Sequence, residues 1–444
     1  MQLKEDLTSG SIYRKLYIFA LPLVFTNLLQ MSMQLTDSLW VGNLLGSTAF
    51  GAITIGLTVM SIVLAFVLGS NNAILTIFAQ LSGKNDPKEI KSYLSSSVIL
   101  LMGLTFIVAL VGSFVVDPLL GWLNTPDSIK PIAKEYLLIN FFGMFFLVGY
   151  NFVATVLRAF GDSKTPLYFI LVGALLNVVL DPIFIKVLNL GLAGVAYATV
   201  IVYIVIFLVS LYYVGRKYQT FKFRFQKPRW VEVRTILQLS IPSITQMIVI
   251  HAGSNVILSI VNSFGESTVA GFGAAQRLNQ LILLPASALG TAVNTMAAQN
   301  IGAKQWNRVF KTTKVGLIYN AILMALVTIT FYIWAEPLVR LFIQEEASVA
   351  FGTLYVKTIA FFYLFIGLNF ILNGVVRGSG AMFQVLMLNI ISLWVLRVPL
   401  TYFFSSIYGQ IGIPLGMGSS FLLSCLFSIA YYKWGNWREK ELFR

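Results

Sequence analysis

Long apolar runs, each closed by a short polar or basic segment, recur from one end of the chain to the other. Their boundaries predict helices at about 15–43, 48–78, 92–116, 132–157, 165–186, 191–214, 235–264, 268–299, 312–335, 347–376, 383–406 and 411–432, twelve in all. Each is long enough for a hydrocarbon layer, which asks for about 20 apolar residues per helix. The alternation of apolar and polar residues over about 10 positions that marks membrane barrel strands does not occur. The chain therefore reads as an all-α polytopic membrane protein. Composition agrees, since 57% of the 444 residues are hydrophobic and only 11% are charged. A soluble domain carries about 25% charged residues and could not cover its surface with so few.

The net charge of +14 would suggest nucleic acid if the basic residues were spread evenly. They are not. The N-terminus, 79–91, 158–164, 215–234, 300–314, 377–382 and the C-terminus, with adjoining span ends, hold 24 of the 31 Lys and Arg. The opposite loops hold Lys130, Lys134, Lys186, Arg340 and Lys357, and only Arg277 and Arg397 fall within spans. Basic loops stay in the cytoplasm. The surplus is a topology signal that puts both termini in the cytoplasm of a prokaryotic plasma membrane, with the bilayer and not nucleic acid as partner. The single cysteine, Cys425, lies in the last span and permits no intramolecular disulfide. The first apolar run is full length and no A-x-A site follows it, so no cleavable signal peptide is expected.

The chain repeats itself. Pro22 in "ALPLVFTNLLQ" and Pro242 in "SIPSITQMIV" are 220 residues apart, and "STAFGA" (47–52) matches "STVAGF" (267–272) at the same offset. At an offset of 219, "AQLSGK" (79–84) parallels "AQNIGA" (298–303) and "VLRAFGD" (156–162) parallels "VVRGSGA" (375–381). Four matches in order imply two six-helix lobes, 1–215 and 235–444, joined by a basic linker at 216–234. An even number of spans makes the repeat parallel, with a pseudo-two-fold axis along the membrane normal. Such folds place a binding cavity between bundles and work by alternating access.

Two acids break the pattern. Of the 17 Asp and Glu, 15 lie in loops or at span edges; Asp37 ("MQLTDSLW") and Asp181 ("NVVLDPIFI") do not. A carboxylate at membrane depth costs roughly 2.5–3.5 kcal/mol, and such residues are usually functional. Asn177 stands four residues before Asp181, so both share a helix face. Pro182 lacks an N–H, which frees the carbonyl of Val178. Both acids fall in the outer halves of outward-running helices, at similar depth, and Thr199 in "AGVAYATV" adds a hydroxyl. Two carboxyls in an apolar bundle disfavour each other's ionised form by repulsion and desolvation. That suits a proton carrier, and the same oxygens could hold Na⁺.

The second half has no acid at depth. At the repeat offset Asp37 meets Ile257, and Asp181 falls near Val398. It offers Gln246, His251, Asn255, Gln276, Arg277, Gln280, Asn294, Asn369, Asn373 and Arg397. Met31, Met33, Gln34, Trp40 and Asn255 are the candidate cavity residues, with Phe141, Phe145, Phe361 and Phe362 as further aromatic lining.

These motifs together resemble the MATE family, multidrug and toxic compound extrusion. The resemblance rests on "LPL", "TDSLWVGNLLGSTAFGA", "AQLSGKND", "VLRAFGDSKTP", "NVVLDPIFI" and "GLAGVAYATV", with "AAQNIGAK" and "VVRGSGA" in the second half. It covers essentially the whole chain and looks closest to the DinF-like branch. It implies a monomeric exporter of amphipathic, mostly cationic compounds by exchange for H⁺ or Na⁺, with no cofactor. It also implies a first-lobe site at Asp37, Asn177, Asp181 and Thr199. Family members that carry acids in helices 7, 8 or 10 for Na⁺ differ from this chain, which favours H⁺. A flippase of lipid-linked precursors from the same superfamily is the alternative, though twelve spans and buried acids fit it less well. A membrane enzyme is not expected, because no HExxH, phosphate loop or metal-ligand cluster occurs.

Overall fold

The computed structural model describes residues 6–218 and 226–443, without the Ser47 side chain. The middle of the expected linker, with Lys222 and Arg224, lies outside the described residues, as do Lys4 and Arg444. Nearly everything described is helix, joined by short turns and connections. With no water to bond backbone N–H and C=O groups, a spanning segment must satisfy them internally, and a helix does so within one segment.

The helices are α1 (Ile12–Gly46), α2 (Thr48–Lys84), α3 (Pro87–Trp122), α4 (Lys130–Ala159), α5 (Lys164–Val187), α6 (Gly191–Lys217), α7 (Trp230–Asn262), α8 (Glu266–Gly302) and α9 (Trp306–Ile333). A short helix, Ala335–Arg340, follows α9. In α10 the segments Glu346–Ala360 and Tyr363–Gly378 meet at 53°. The last apolar run, Met382–Trp434, is 53 residues long, more than twice the about 20 of one crossing. Gly409, at φ 62°, divides it. Met382–Ile390, Ile391–Arg397 and Val398–Tyr408 run on as α11, and Gly412–Trp434 is α12. Twelve membrane-length helices result among the described residues, as the apolar runs predict.

The backbone repeats where the sequence does. Positive φ occurs at Gly46 and Gly265, at Asn85 and Lys304, and at Gly161 and Gly380, each pair 219 residues apart; Gly191 and Gly409 are 218 apart. At Gly46 (φ 81°, ψ −171°) the chain turns between α1 and α2 in a conformation open in practice only to glycine. The polar motifs between spans are the turns themselves. In "GKNDPKE" the Asp86 carboxylate accepts from the N–H groups of Lys88 and Glu89 at 3.0 and 3.1 Å, capping α3, with Pro87 in its first turn. In "FGDSKTP" Asp162 accepts from Thr165 N and Thr165 Oγ1 at 3.0 and 2.7 Å, closing the α4–α5 turn.

Contacts gather into two compact units, Phe25–Ser240 and Leu7–Val24 with Ile241–Arg444. In the first, Val41, Ile53, Leu137 and Met144 form one apolar cluster and Tyr150, Val153, Phe169 and Ile206 another. Glu232, which the sequence puts at a span edge, is buried there at 1% exposure. It accepts from Ser92 Oγ at 2.5 Å, from Ser96 Oγ, and from Arg229 Nε at 2.7 Å. Gln226 and Ser95 exchange two further bonds, at 3.0 and 3.1 Å, so the described end of the linker is strapped to α3.

In the second unit the start of α1 contributes Leu16 and Phe19 to a cluster with Val293, Met296 and Ile371. Arg308 of α9 holds the chain before it, donating to the carbonyls of Leu7, Ser9 and Gly10 at 3.3, 3.1 and 3.0 Å. Here α8 and α10 approach so closely that a Cβ on Gly374 would sit 2.6 Å from the Gly290 carbonyl oxygen. Gly374→Ala is therefore expected to cost about 1–3 kcal/mol through forced backbone displacement. Thermal unfolding in detergent measures it, and an unchanged midpoint would contradict the close α8–α10 packing.

Candidate functional site

In the first unit the four polar side chains singled out on three helices converge. Asn177 and Asp181 lie one turn apart on α5, both at 0% exposure. Pro182 keeps a helical φ of −65°, and the helix continues as a π turn over Ile183–Val187. The wider turn takes up the proline's missing N–H within the helix. Asp37 of α1 and Thr199 of α6 are partly buried.

The amide of Asn177 is the junction. Its Nδ2 donates to Asp37 Oδ1 at 2.9 Å and lies 3.4 Å from both carboxyl oxygens of Asp181. Thr199 Oγ1 donates to Asp37 Oδ2 at 3.4 Å. An amide has two donors at one end and an acceptor at the other. Here the donor end faces the two acids. The acceptor, Asn177 Oδ1, is buried and has no hydrogen-bond partner among the described residues. The arrangement gathers two carboxyls, one hydroxyl and one uncommitted amide oxygen. Such a set can bind a proton or an oxygen-seeking cation.

Two tyrosines complete the surroundings and escape the sequence reading. Tyr136 of α4 and Tyr203 of α6 lie within electrostatic reach of Asp37. Asn140, one turn after Tyr136, donates to the Tyr136 carbonyl at 2.8 Å. A tyrosine in an apolar span has no contrast with its neighbours; the i, i+4 pairing with Asn140 was the available signal.

The candidate cavity residues fare unevenly. Met33 is buried at 7% and packs with Tyr150, Val153 and Phe169. Met31 and Trp40 are partly buried, and Gln34 is exposed one turn before Ser38. Asn255 lies in the other unit, exposed on α7. Phe141 is buried in the apolar cluster, whereas Phe145 and Phe361 are exposed; Phe362 is partly buried against the second unit's apolar cluster, with Phe365 as ring neighbour.

In the second unit Ile257, at the position equivalent to Asp37, is 2% exposed within an apolar cluster. Its polar groups at depth form small hydrogen-bonded sets that contain no carboxyl among the described residues. Asn279 bonds Gln276 at 2.8 Å and also bonds Tyr363; Tyr355 donates to Met417 Sδ at 3.3 Å. Asn369 accepts from Ser428 at 2.6 Å. Arg277 lies over the Phe342 ring at 5.8 Å, and His251 is exposed. The sequence flagged Asn294, which is buried with neither amide atom bonded among the described residues, but it did not single out Asn279, Tyr355 or Tyr363.

The MatE family model matches this chain twice, over residues 22–183 and 242–403. The chain belongs to the MATE family. The two matches begin at Pro22 and Pro242, so the duplication read from the sequence is the family's own. MATE proteins are membrane transporters and not enzymes. The chain is 48% identical over 439 residues to YpnP of Bacillus subtilis, described as a probable multidrug resistance protein, covering 99% of this chain and 98% of that one. A FAD transporter of Shewanella oneidensis is 24% identical, covering 95% of each chain. Among solved structures, the bent form of the Vibrio cholerae MATE transporter VcmN superposes with a TM-score of 0.92 at 21% identity, covering 99% of this chain and 100% of that one. That likeness is one of fold.

The bridging amide makes the site testable as a unit. Asp37→Ala and Asn177→Ala are expected to be non-additive in thermal stability, with a coupling of about 0.5–3 kcal/mol. Additive losses in purified protein would mean that α1 and α5 do not meet through this bond.

Proposed function

We propose that this protein is a multidrug efflux antiporter that exports amphipathic, mostly cationic compounds in exchange for H⁺ by alternating access. Asp37 and Asp181 couple the two fluxes, with Asn177 and Thr199 as their hydrogen-bonding partners. The observation that carries the reading is the Asn177 amide donating to Asp37 while facing both oxygens of Asp181. Two acids held around one amide cannot both stay ionised in a low-dielectric bundle without a compensating cation. A proton is one such cation and a positively charged substrate is another. Binding of the substrate to the ionised form expels the proton, and reprotonation from outside expels the substrate. The multidrug resistance label of the relative YpnP supports export as the direction of transport.

Na⁺ in the same site is the second reading, and the unbonded Asn177 Oδ1 favours it. A sodium ion asks for several oxygens converging on one point, however, and Asn177 turns its nitrogen to the acids, which sets its own oxygen at the opposite end of the amide. We place the protein in the plasma membrane with both termini cytoplasmic, on the distribution of its basic residues, and read it as a monomer of the DinF-like branch.

Asp37→Asn is expected to fold and insert, because losing a buried charge lowers the insertion cost, yet to lose export. Cells expressing it should become as sensitive to toxic cations as cells without the protein; full resistance would remove Asp37 from the mechanism. Asp181→Asn should impair export more than Asn177→Ala.

The ion is decided in proteoliposomes. With a pH gradient and no added Na⁺, transport of a fluorescent cation should persist, and substrate release should steepen as external pH falls. Transport that stops there and returns with Na⁺ alone would make the same four residues a sodium site.

A further inference from the structure

We propose that Arg397 of α11, with Ser420 of α12, forms a binding site for an anionic group on the transported compound, a carboxylate in the first instance. The proposal rests on the export reading and extends it to substrates that carry a negative charge.

Arg397 is a lone charge in its surroundings. The acids of the second unit are Glu266, Glu336, Glu345, Glu346, Glu439 and Glu441, all at helix ends or in turns. Glu336 and Glu346 pair with Arg340 at 3.0 and 2.9 Å, and Glu345 accepts from Ser348 at 2.7 Å. No carboxylate among the described residues pairs with Arg397. Its Nε donates to Ser420 Oγ at 3.3 Å, and its guanidinium carbon lies 4.6 Å from the centre of the Phe421 ring. A guanidinium has five N–H donors. The four terminal ones have no acceptor among the described residues, and the side chain is only partly buried. A planar fork of free N–H groups matches the two oxygens of a carboxylate.

The surroundings are built to hold that fork in place. Ser420 donates to the Met417 carbonyl at 2.6 Å, which turns an oxygen lone pair toward Arg397. Ser424, one turn on, bonds Ser392 at 2.5 Å, and Ser428, another turn on, bonds Asn369. The three buried hydroxyls make a polar stripe along α12 facing α10 and α11. Arg397 is the last residue of the π turn Ile391–Arg397, and π turns recur at functional sites. One α-helical turn further, Thr401 is fully buried and its hydroxyl has no partner among the described residues.

The test compares two dyes on one xanthene frame that differ only at the carboxyl, a rhodamine ethyl ester, which is a cation, and the same rhodamine with its carboxyl free. Uptake of each into proteoliposomes and binding of each to purified protein, by fluorescence anisotropy, are measured for wild type, Arg397→Gln, Arg397→Lys and Ser420→Ala. Arg397→Gln should lower the ratio of free-acid to ester binding and transport by about tenfold or more, the scale of a charge-assisted hydrogen bond. Arg397→Lys should restore part of it, and Ser420→Ala should lower it less. The ratio should not respond to replacing chloride by gluconate or anionic by zwitterionic lipid. A ratio that follows either change and loses that response in Arg397→Gln would assign the arginine to chloride or to a headgroup and overturn the proposal. So would an unchanged ratio, or an equal fall for both dyes. Wild type that binds the free acid through Arg397 but transports neither dye would sink the export reading and leave the site standing. Wild type that transports the ester but does not prefer the free acid over Arg397→Gln would sink the site alone.

Discussion

The structure depends on one constraint, the absence of water from the hydrocarbon layer. Backbone groups there must bond within the chain, so the described residues are helix almost throughout. The same constraint sorts the side chains. Charge is driven to the turns, where Asp86 and Asp162 cap helices and Arg308 holds the N-terminal segment. A charge left inside has to be neutralised, bonded or used. Asp37 and Asp181 meet that demand through one amide. Arg397 meets it in part, with a hydroxyl and an aromatic ring.

Much of this was readable in the residues alone. Apolar runs marked the helices because length and hydropathy are what a bilayer selects. The α5 pair was legible because Asn177 and Asp181 are four residues apart and a carboxyl contrasts sharply with its neighbours. The meeting of α1, α5 and α6 followed from the family resemblance rather than from spacing, since no periodicity within one helix reports which other helix it faces. The bend inside α10 at Phe361 and Phe362 left no trace, because a turn built of apolar residues looks like the helix around it. Tyr136 and Tyr203 were hidden for the same reason. Glu232 does lie at a span edge, but its enclosure could not be read there: it takes the arrival of Ser92 and Ser96 from α3 to bury it.

The two halves share their turns and differ in their chemistry. Where the first unit places Asp37, the second places Ile257 in an apolar cluster. Where α5 carries Asp181 before a proline, α11 carries Arg397 two residues before Pro399. Duplication supplied two copies of one scaffold whose intramembrane charged residues differ, with Asp37 and Asp181 in the first and Arg397 in the second.

The paired left-handed turns carry a consequence for how such a chain can change. Gly46 and Gly161 are 115 residues apart, and so are Gly265 and Gly380, although few residues between them still match. Adding one residue to a helix turns everything beyond it by about 100° and lengthens it by about 1.5 Å. In a soluble protein a loop can absorb that slip. Between turns fixed at the two faces of a bilayer there is little slack, and the inserted residue would swing an apolar face inward and a polar one toward lipid. The membrane has thus acted as a ruler, leaving the spelling of each half free to drift while holding its length.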